Sequence, residues 1–214
     1  MSTLLRSLSN DLADLHAQAR RSLVQIHMGN RGAGSGAVWS DDGLIVTNAH
    51  VVRGRRGTVS HQLQVTLSDG RQLPADVVAV HPHHDLALLR VQTEALAPIA
   101  PGDSRGVRAG ELVFALGYPW GVEGGATAGV VIGVGADLPE LGDGRRDWIA
   151  AALQLRPGHS GGPMLDSRGR LVGINTLMTG PAVGAAVPVH VIDEFVSAYR
   201  RAESPAPADR IVRV

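Results

Sequence analysis

Hydrophobic and polar positions along this chain follow two different periods. Near the N-terminus Leu4, Leu8, Leu12, Leu15 and Ala19 recur every three or four residues, and Arg20 and Arg21 stand where the last turn would end. That spacing predicts a helix with one apolar stripe, its C-terminal end favoured by basic side chains. From residue 23 the period shortens to two, or gives way to short β-branched runs, at 24–28, 36–40, 43–48, 64–68, 75–81 and 86–91. Turn-forming clusters such as Asp41-Asp42-Gly43 and Ser68-Asp69-Gly70 separate them, as hairpins require. A Pro- and Gly-bearing connection over roughly residues 93–110 breaks the series. A second set follows at 112–116, 126–134, 148–155, 162–165, 171–177 and 185–189.

Two sets of about six short strands, each too small for a large sheet, predict an all-β fold of two closed antiparallel barrels. Val191, Ile192, Phe195, Val196 and Tyr199 return to the helical period near the end. The expected organisation is an N-terminal amphipathic helix over 1–22, then one domain over 23–202. Within it barrel 1 covers about 23–105, barrel 2 about 106–190, and a C-terminal helix 190–202. Residues 203–214, with Pro205 and Pro207, read as a tail.

Composition narrows the chemistry. With 214 residues, 44% apolar and 19% charged, the chain can bury a sizeable core. Twenty basic residues balance twenty acidic ones, so neither nucleic acid nor an anionic membrane is an expected partner. Every basic residue is Arg; there is no Lys and no Cys. Schiff-base chemistry, the P-loop lysine, Ser–Lys dyads, thiol nucleophiles, thiolate metal sites and disulfides are therefore excluded. Residues 1–10 lack the apolar run of a secretory signal and no stretch reaches the length of a membrane span, so the expected location is the cytoplasm.

Three places join reactive side chains to unusual backbone. In Pro157-Gly158-His159-Ser160-Gly161-Gly162-Pro163 the Gly and Pro residues rule out a helix interior. Such a segment can expose the Ser160 hydroxyl on a tight turn and aim the Gly158 and Ser160 amides at one point, as an oxyanion hole; the bland alternative is a glycine-rich hairpin with an inert Ser. His50, in Thr47-Asn48-Ala49-His50-Val51-Val52, ends an apolar strand and can face a cleft as a base, or be a buried, satisfied His. Asp85, after His83-His84 and before an apolar run, is an acid or merely a turn Asp. Together the three say more: a Ser hydroxyl needs a base, and the base needs a carboxylate to fix its tautomer. The order His50, Asp85, Ser160 is that of chymotrypsin-like double barrels.

At these residues the chain resembles a known family. Gly34-Ser35-Gly36-Ala37-Val38-Trp39, Gly43-Leu44-Ile45-Val46-Thr47-Asn48-Ala49-His50-Val51-Val52, Asp85-Leu86-Ala87-Leu88-Leu89, Gly117-Tyr118-Pro119-Trp120-Gly121, Gly158-His159-Ser160-Gly161-Gly162-Pro163 and Gly173-Ile174-Asn175-Thr176 look like the protease domain of the HtrA/Deg family of trypsin-like serine peptidases. The likeness runs in order from about residue 20 to 202. It implies a double β-barrel, endopeptidase activity on unfolded or damaged protein, and no cofactor or metal. It implies His50 as base, Asp85 as orienting acid, Ser160 as nucleophile, and Gly158, His159 and Ser160 around the oxyanion hole. It further places Gln154 at the base of the specificity pocket, Leu155, Met178 and Val183 on its walls, and Ile174, Asn175 and Thr176 along the bound substrate; Arg156 is a competing feature of this chain, expected to reach the pocket mouth and favour an acidic residue at a neighbouring subsite. That lining predicts cleavage after small or medium aliphatic residues, because an Arg or Lys would lack a counter-charge.

This chain departs from the family pattern in four respects. His159 stands where members usually have Asn or Asp, and Ala152-Leu153-Gln154-Leu155-Arg156 replaces the common Asp-Ala-Ala-Ile-Asn approach. No PDZ domain is read after the protease domain. Family domains often trimerise through aromatic residues near the N-terminus, but none precedes Trp39, so any homo-oligomer is expected through the Leu4, Leu8, Leu12, Leu15 stripe.

Other readings fit less well. An α/β-hydrolase elbow at Ser160 needs a helix after it, where Pro163 stands, and a later acid and His, of which only His190 is found. A metal site at His81, His83 and His84, with His61 nearby, lacks a Glu at ligand spacing and is interrupted by Pro82; solvated loop histidines are expected instead. The Gly-rich stretch from Gly29 to Gly36 has no Lys and precedes a strand, so it predicts a flexible barrel loop rather than a phosphate loop. A barrel edge that binds extended peptides without cutting them, as a chaperone or adaptor, is the non-enzyme alternative.

Overall fold

Alternation along each strand decides which of three apolar clusters a side chain joins. In the segment Leu86–Val91, Leu86 and Leu88 point to one cluster, while Ala87, Leu89 and Val91 point to another. Both faces are dry, which is why this run reads as continuously apolar. The same division holds at Leu112–Gly117, where Phe114 and Leu116 face the first cluster and Val113 and Ala115 a third. The second and third clusters are the interiors of two barrels. The first lies between them.

A computed structural model describes residues 3–29, 31–54, 58–60, 63–93, 96–138, 141 and 146–203. Barrel 1 is built from β1 (Leu23–Met28), β2 (Arg31–Val38), β3 (Leu44–Thr47), β4 (Leu63–Thr66), β5 (Gln72–His81) and β6 (Leu86–Val91), closed in the order β1-β2-β3-β6-β5-β4. Barrel 2 is built from β7 (Leu112–Gly117), β8 (Gly125–Gly135), β9 (Trp148–Ala152), β10 (Pro163–Asp166), β11 (Leu171–Gly180) and β12 (Val183–Pro188), closed in the order β10-β11-β12-β9-β8-β7. All the named strand pairs are antiparallel, and the predicted all-β double barrel is the observed fold. The tail expected beyond Glu203 lies outside the described residues, as does His61.

Two helices flank the barrels. Helix α1 (Thr3–Arg20) packs Leu12, Leu15 and Ala19 against the inter-barrel cluster, while Leu5 and Leu8 stay exposed. Three of the five predicted stripe residues are thus used within the chain. Its last turns also hold barrel 2 directly: His16 Nε2 lies 2.6 Å from the Gly124 carbonyl and Arg20 pairs with Glu123 at 3.1 Å. Helix α2 (Val189–Glu203) buries Val191, Ile192 and Val196 in the same cluster. It reaches barrel 1 through Arg90, whose guanidinium meets Asp42 and Glu203, each at 3.2 Å.

Two sequence expectations change. The Gly-rich stretch is not a flexible loop, since β2 begins at Arg31 and pairs with β1 from Met28 back to Leu23. Its glycines serve close approach: a Cβ on Gly36 would press on Val24 and Ile45, and one on Gly34 would press on Val51 and the Ser160 carbonyl. Of the histidines expected in solvent, His83 is exposed, but His81 and His84 are half-buried. His81 ends β5, stacks on His84 with ring centres 4.6 Å apart, and meets the edge of Phe195 from α2 at 5.5 Å.

Candidate active site

The end of β3 delivers His50. Thr47 and Asn48 are buried, and the Asn48 amide donates both to the Asp85 carbonyl at 3.0 Å and to Thr176 Oγ1 on β11 at 2.8 Å. One side chain therefore ties the strand end in barrel 1 to barrel 2. Asp85 follows a single 3-10 turn, Pro82–His84, in which the His84 amide donates to His81 Nδ1 at 3.3 Å. Burial, with repulsion from His81 and His83, holds the His84 ring below its usual range and so neutral at pH 7.

Asp85 itself adopts a left-handed backbone, φ 53°. For a residue with a Cβ that conformation costs about 1–2 kcal/mol, so the surroundings must impose it. What it achieves is a two-point grip on His50: Oδ1 accepts from the His50 amide at 2.9 Å and Oδ2 from Nδ1 at 2.7 Å. In that network the imidazole carries its proton on Nδ1, leaving Nε2 as the basic nitrogen.

Ser160 sits on the turn before β10, and barrel 1 braces that turn. Ser35 on β2 donates through Oγ to the Gly158 carbonyl at 2.6 Å and accepts from the Tyr118 amide at 2.9 Å, while its own amide donates to the Ser160 carbonyl at 2.8 Å. Gly158 has φ +104° and Gly161 φ +83°. A Cβ would fall on the Tyr118 carbonyl at the first, and on the Ser35 carbonyl and Thr47 hydroxyl at the second. The Ser160 hydroxyl donates to the Thr176 carbonyl at 3.3 Å.

Of the three amides assigned to the oxyanion hole, two are unengaged. Those of Gly158 and Ser160 have no acceptor among the described residues, whereas the His159 amide donates to the Arg156 carbonyl at 2.9 Å. The His159 ring turns inward, only 1% exposed, and its Nδ1 accepts from the Arg156 amide at 3.0 Å. Burial lowers its pKa below the ordinary 6.5.

The residues assigned to the specificity pocket divide in two. Leu155 and Met178 meet, the Leu155 amide pointing at Met178 Sδ at 3.1 Å, and Gly184 opposite Met178 leaves room for the Leu155 side chain. Val183 lies further along β12, and Gln154 reaches the Pro181 carbonyl at 3.4 Å. Ile174 and Asn175 are fully buried, so their side chains do not line a surface pocket. Asn175 instead donates to the Pro163 carbonyl at 3.0 Å, and its backbone brackets the Ser160 turn through Gly161 and Gly162. Arg156 lies over the Trp120 ring at 5.0 Å. The α/β-hydrolase reading is closed, since a strand and not a helix follows Ser160.

Sequence reasoning assigned no role to Ser35, Asn48 or Trp120. All three lie inside quoted motifs, but their partners are in the other barrel or on a distant turn, which local pattern does not encode. Among the described residues no group of three or more His, Cys, Asp or Glu is placed to hold a metal ion. Nor is any described helix long and apolar enough to cross a membrane.

Comparison with known proteins agrees with the double-barrel fold. A family model for the trypsin-like peptidase domain matches residues 34–174. Protease Do-like 1, chloroplastic, of Arabidopsis thaliana is 39% identical over 175 residues, covering 78% of this chain and 39% of its own. A probable periplasmic serine endoprotease DegP-like of Halomonas elongata is 34% identical over 190 residues, covering 86% and 36%. Serine protease HTRA2, mitochondrial, of Drosophila virilis is 37% identical over 177 residues, covering 81% and 41%. The chain thus spans about two fifths of the length of these relatives. Their chloroplastic, periplasmic and mitochondrial settings do not support the cytoplasmic expectation. Among solved structures, the HtrA-type protease AlgW with decapeptide superposes with a TM-score of 0.78 at 26% identity, covering 88% of this chain and 67% of that one. With the double barrel, the motif order and these matches in agreement, the chain belongs to the trypsin-like serine peptidases and carries the protease domain of their HtrA/Deg branch.

Proposed function

We propose that this chain is a serine endopeptidase that cuts extended segments of unfolded or damaged proteins. The observation that carries the reading is the pair of hydrogen bonds from His50 to the Asp85 carboxylate, at 2.9 and 2.7 Å, beside the Ser160 turn with two unengaged amides. His50 Nε2 takes the Ser160 proton as Oγ attacks the scissile carbonyl, and the developing oxyanion is held by the Gly158 and Ser160 amides. His50 then gives that proton to the leaving amine. Water, deprotonated by the same nitrogen, hydrolyses the acyl-enzyme and frees Ser160. Engaging His50 requires the Ser160 hydroxyl to leave Thr176, a neutral hydrogen bond worth roughly 1 kcal/mol net.

Leu155, Met178 and Val183 support a preference for Val, Ala, Leu or Met before the cut, with Met178 adaptable in depth. Discrimination among these is shallow, since one methylene is worth about 1–3 kcal/mol. Homo-oligomerisation through the α1 stripe would rest on Leu8, with Leu5 beside it, the large apolar side chains exposed among the described residues of that helix. The non-cleaving alternative, a peptide-binding chaperone, draws on the Ser160 bond to Thr176. A labelled fluorophosphonate and casein separate the two. Covalent labelling and cleavage after small aliphatic residues, both lost in Ser160→Ala, are expected; an unlabelled parent, or mutant cleavage above about a thousandth of the parent rate, overturns the assignment.

A further inference from the structure

Only two described residues other than glycine have a left-handed backbone, Asp85 and Trp120. Both adjoin the site, and only the first has a role so far. Trp120 is at φ 51° and is 71% exposed, so the chain bears backbone strain and leaves a large apolar ring in water. Its amide donates to the Pro157 carbonyl at 3.1 Å, which fixes the ring beside the oxyanion turn. On its face lies the Arg156 guanidinium, 5.0 Å from the ring centre, with no carboxylate partner among the described residues. A cation held on an aromatic face keeps its charge and gives up freedom of movement, so it is preorganised for an anion.

Beside the Trp120 ring is a cavity of about 320 Å³, whose lining includes Gln25, Gly34, Tyr118, Trp120, Pro157 and Gly158. Burial pushes the Tyr118 hydroxyl up to about 12, so this wall is uncharged. The cavity lies across Ser160 from the Leu155 and Met178 walls: Ser160 meets Thr176 of β11 on one side, and its carbonyl meets Ser35 of β2, next to Gly34, on the other. A substrate whose acyl side fills the Leu155–Met178 region must therefore run its leaving-group side over Gly34 and Pro157.

We propose that Trp120 and Arg156 form a leaving-group-side subsite for an acidic residue, Asp or Glu, within the first three positions after the cut bond. The side chain's methylenes lie on the indole edge and its carboxylate meets the guanidinium. This inference rests on the proposed peptidase activity and deepens it.

The test uses the full chain and quenched fluorescent peptides with one cleavable Ala or Val, carrying Glu, Gln or Lys in turn at the first, second and third positions after it. At one of these, kcat/KM for Glu should exceed that for Lys by about tenfold, the gap narrowing as salt is raised. Arg156→Gln should flatten the series at that position, and Arg156→Glu should invert it. Ala variants of Ser160 and His50 report on the underlying activity: if the parent cuts no peptide, the peptidase reading fails. A parent that cuts every peptide with no acidic preference overturns the subsite alone. So does a Trp120→Ala variant that changes oligomeric state by light scattering yet keeps the full preference, which would make this face a contact between copies.

Discussion

The imidazole of His159 and the backbone of Arg156 hold each other reciprocally: Nδ1 accepts from the Arg156 amide at 3.0 Å, and the His159 amide donates to the Arg156 carbonyl at 2.9 Å. The nucleophile turn is thus closed by a ring that must be neutral at Nδ1 to accept.

That requirement gives a pH dependence with a definite sign. Burial lowers the folded-state pKa of His159 below its ordinary 6.5, so the unfolded chain takes up the proton first. The native state therefore loses stability as pH falls from about 6.5 to the folded value, and nothing further below it. His159→Asn should flatten the urea-unfolding free energy across that window while leaving it little changed at pH 8. Parallel parent and mutant curves between pH 6.5 and 5 would refute this.

Gly158→Ala should be inactive before it is unfolded. The new Cβ falls on the Tyr118 carbonyl and the residue must keep φ +104°, so the peptide that carries the oxyanion amide has to turn away. Left-handed strain and overlap together should cost about 2–4 kcal/mol. A folded mutant retaining more than a tenth of the parent kcat would contradict the role given to that amide.

Asp85→Asn keeps the size of the side chain and loses the charge and one acceptor. Its two contacts to His50 cannot both survive, because an amide offers a single oxygen. By analogy with other Ser-His-Asp sites, kcat should fall by about four orders of magnitude. Near-parent activity in casein cleavage would remove Asp85 from the machinery.

Removing α1, so that the chain starts at Ser22, uncovers the surface under Leu12, Leu15 and Ala19. With about 1.5–3 kcal/mol for each fully buried aliphatic side chain, and less for the half-covered leucines, the loss should be about 3 kcal/mol. For a domain of this size that is a fall in Tm on the order of 10 °C. An unchanged melting curve would show that the helix packs without stabilising.

Much of this was legible along the chain. Period-two runs located the strands of both barrels, and the order His50, Asp85, Ser160 pointed to the double-barrel arrangement. The glycines at 34 and 36 misled, because their loss of side chain serves close packing against Val51, Val24 and Ile45, and a glycine's sequence neighbours do not reveal what presses on it. Ile174 and Asn175 misled in the opposite sense: they flank the site in sequence, yet strand alternation and the Asn175 hydrogen bonds turn their side chains inward. The strain at Asp85 and Trp120 had no signal either, since no composition or spacing records a backbone angle.

Ser35 links the order of synthesis to the onset of cutting. Barrel 1 is synthesised first and carries His50, Asp85 and Ser35, but on the proposed mechanism it lacks the nucleophile. Barrel 2 brings Ser160 on a turn whose backbone the Ser35 hydroxyl and amide hold at Gly158, Tyr118 and Ser160. On the proposed mechanism, a half-made molecule therefore cannot cut before its two barrels have docked.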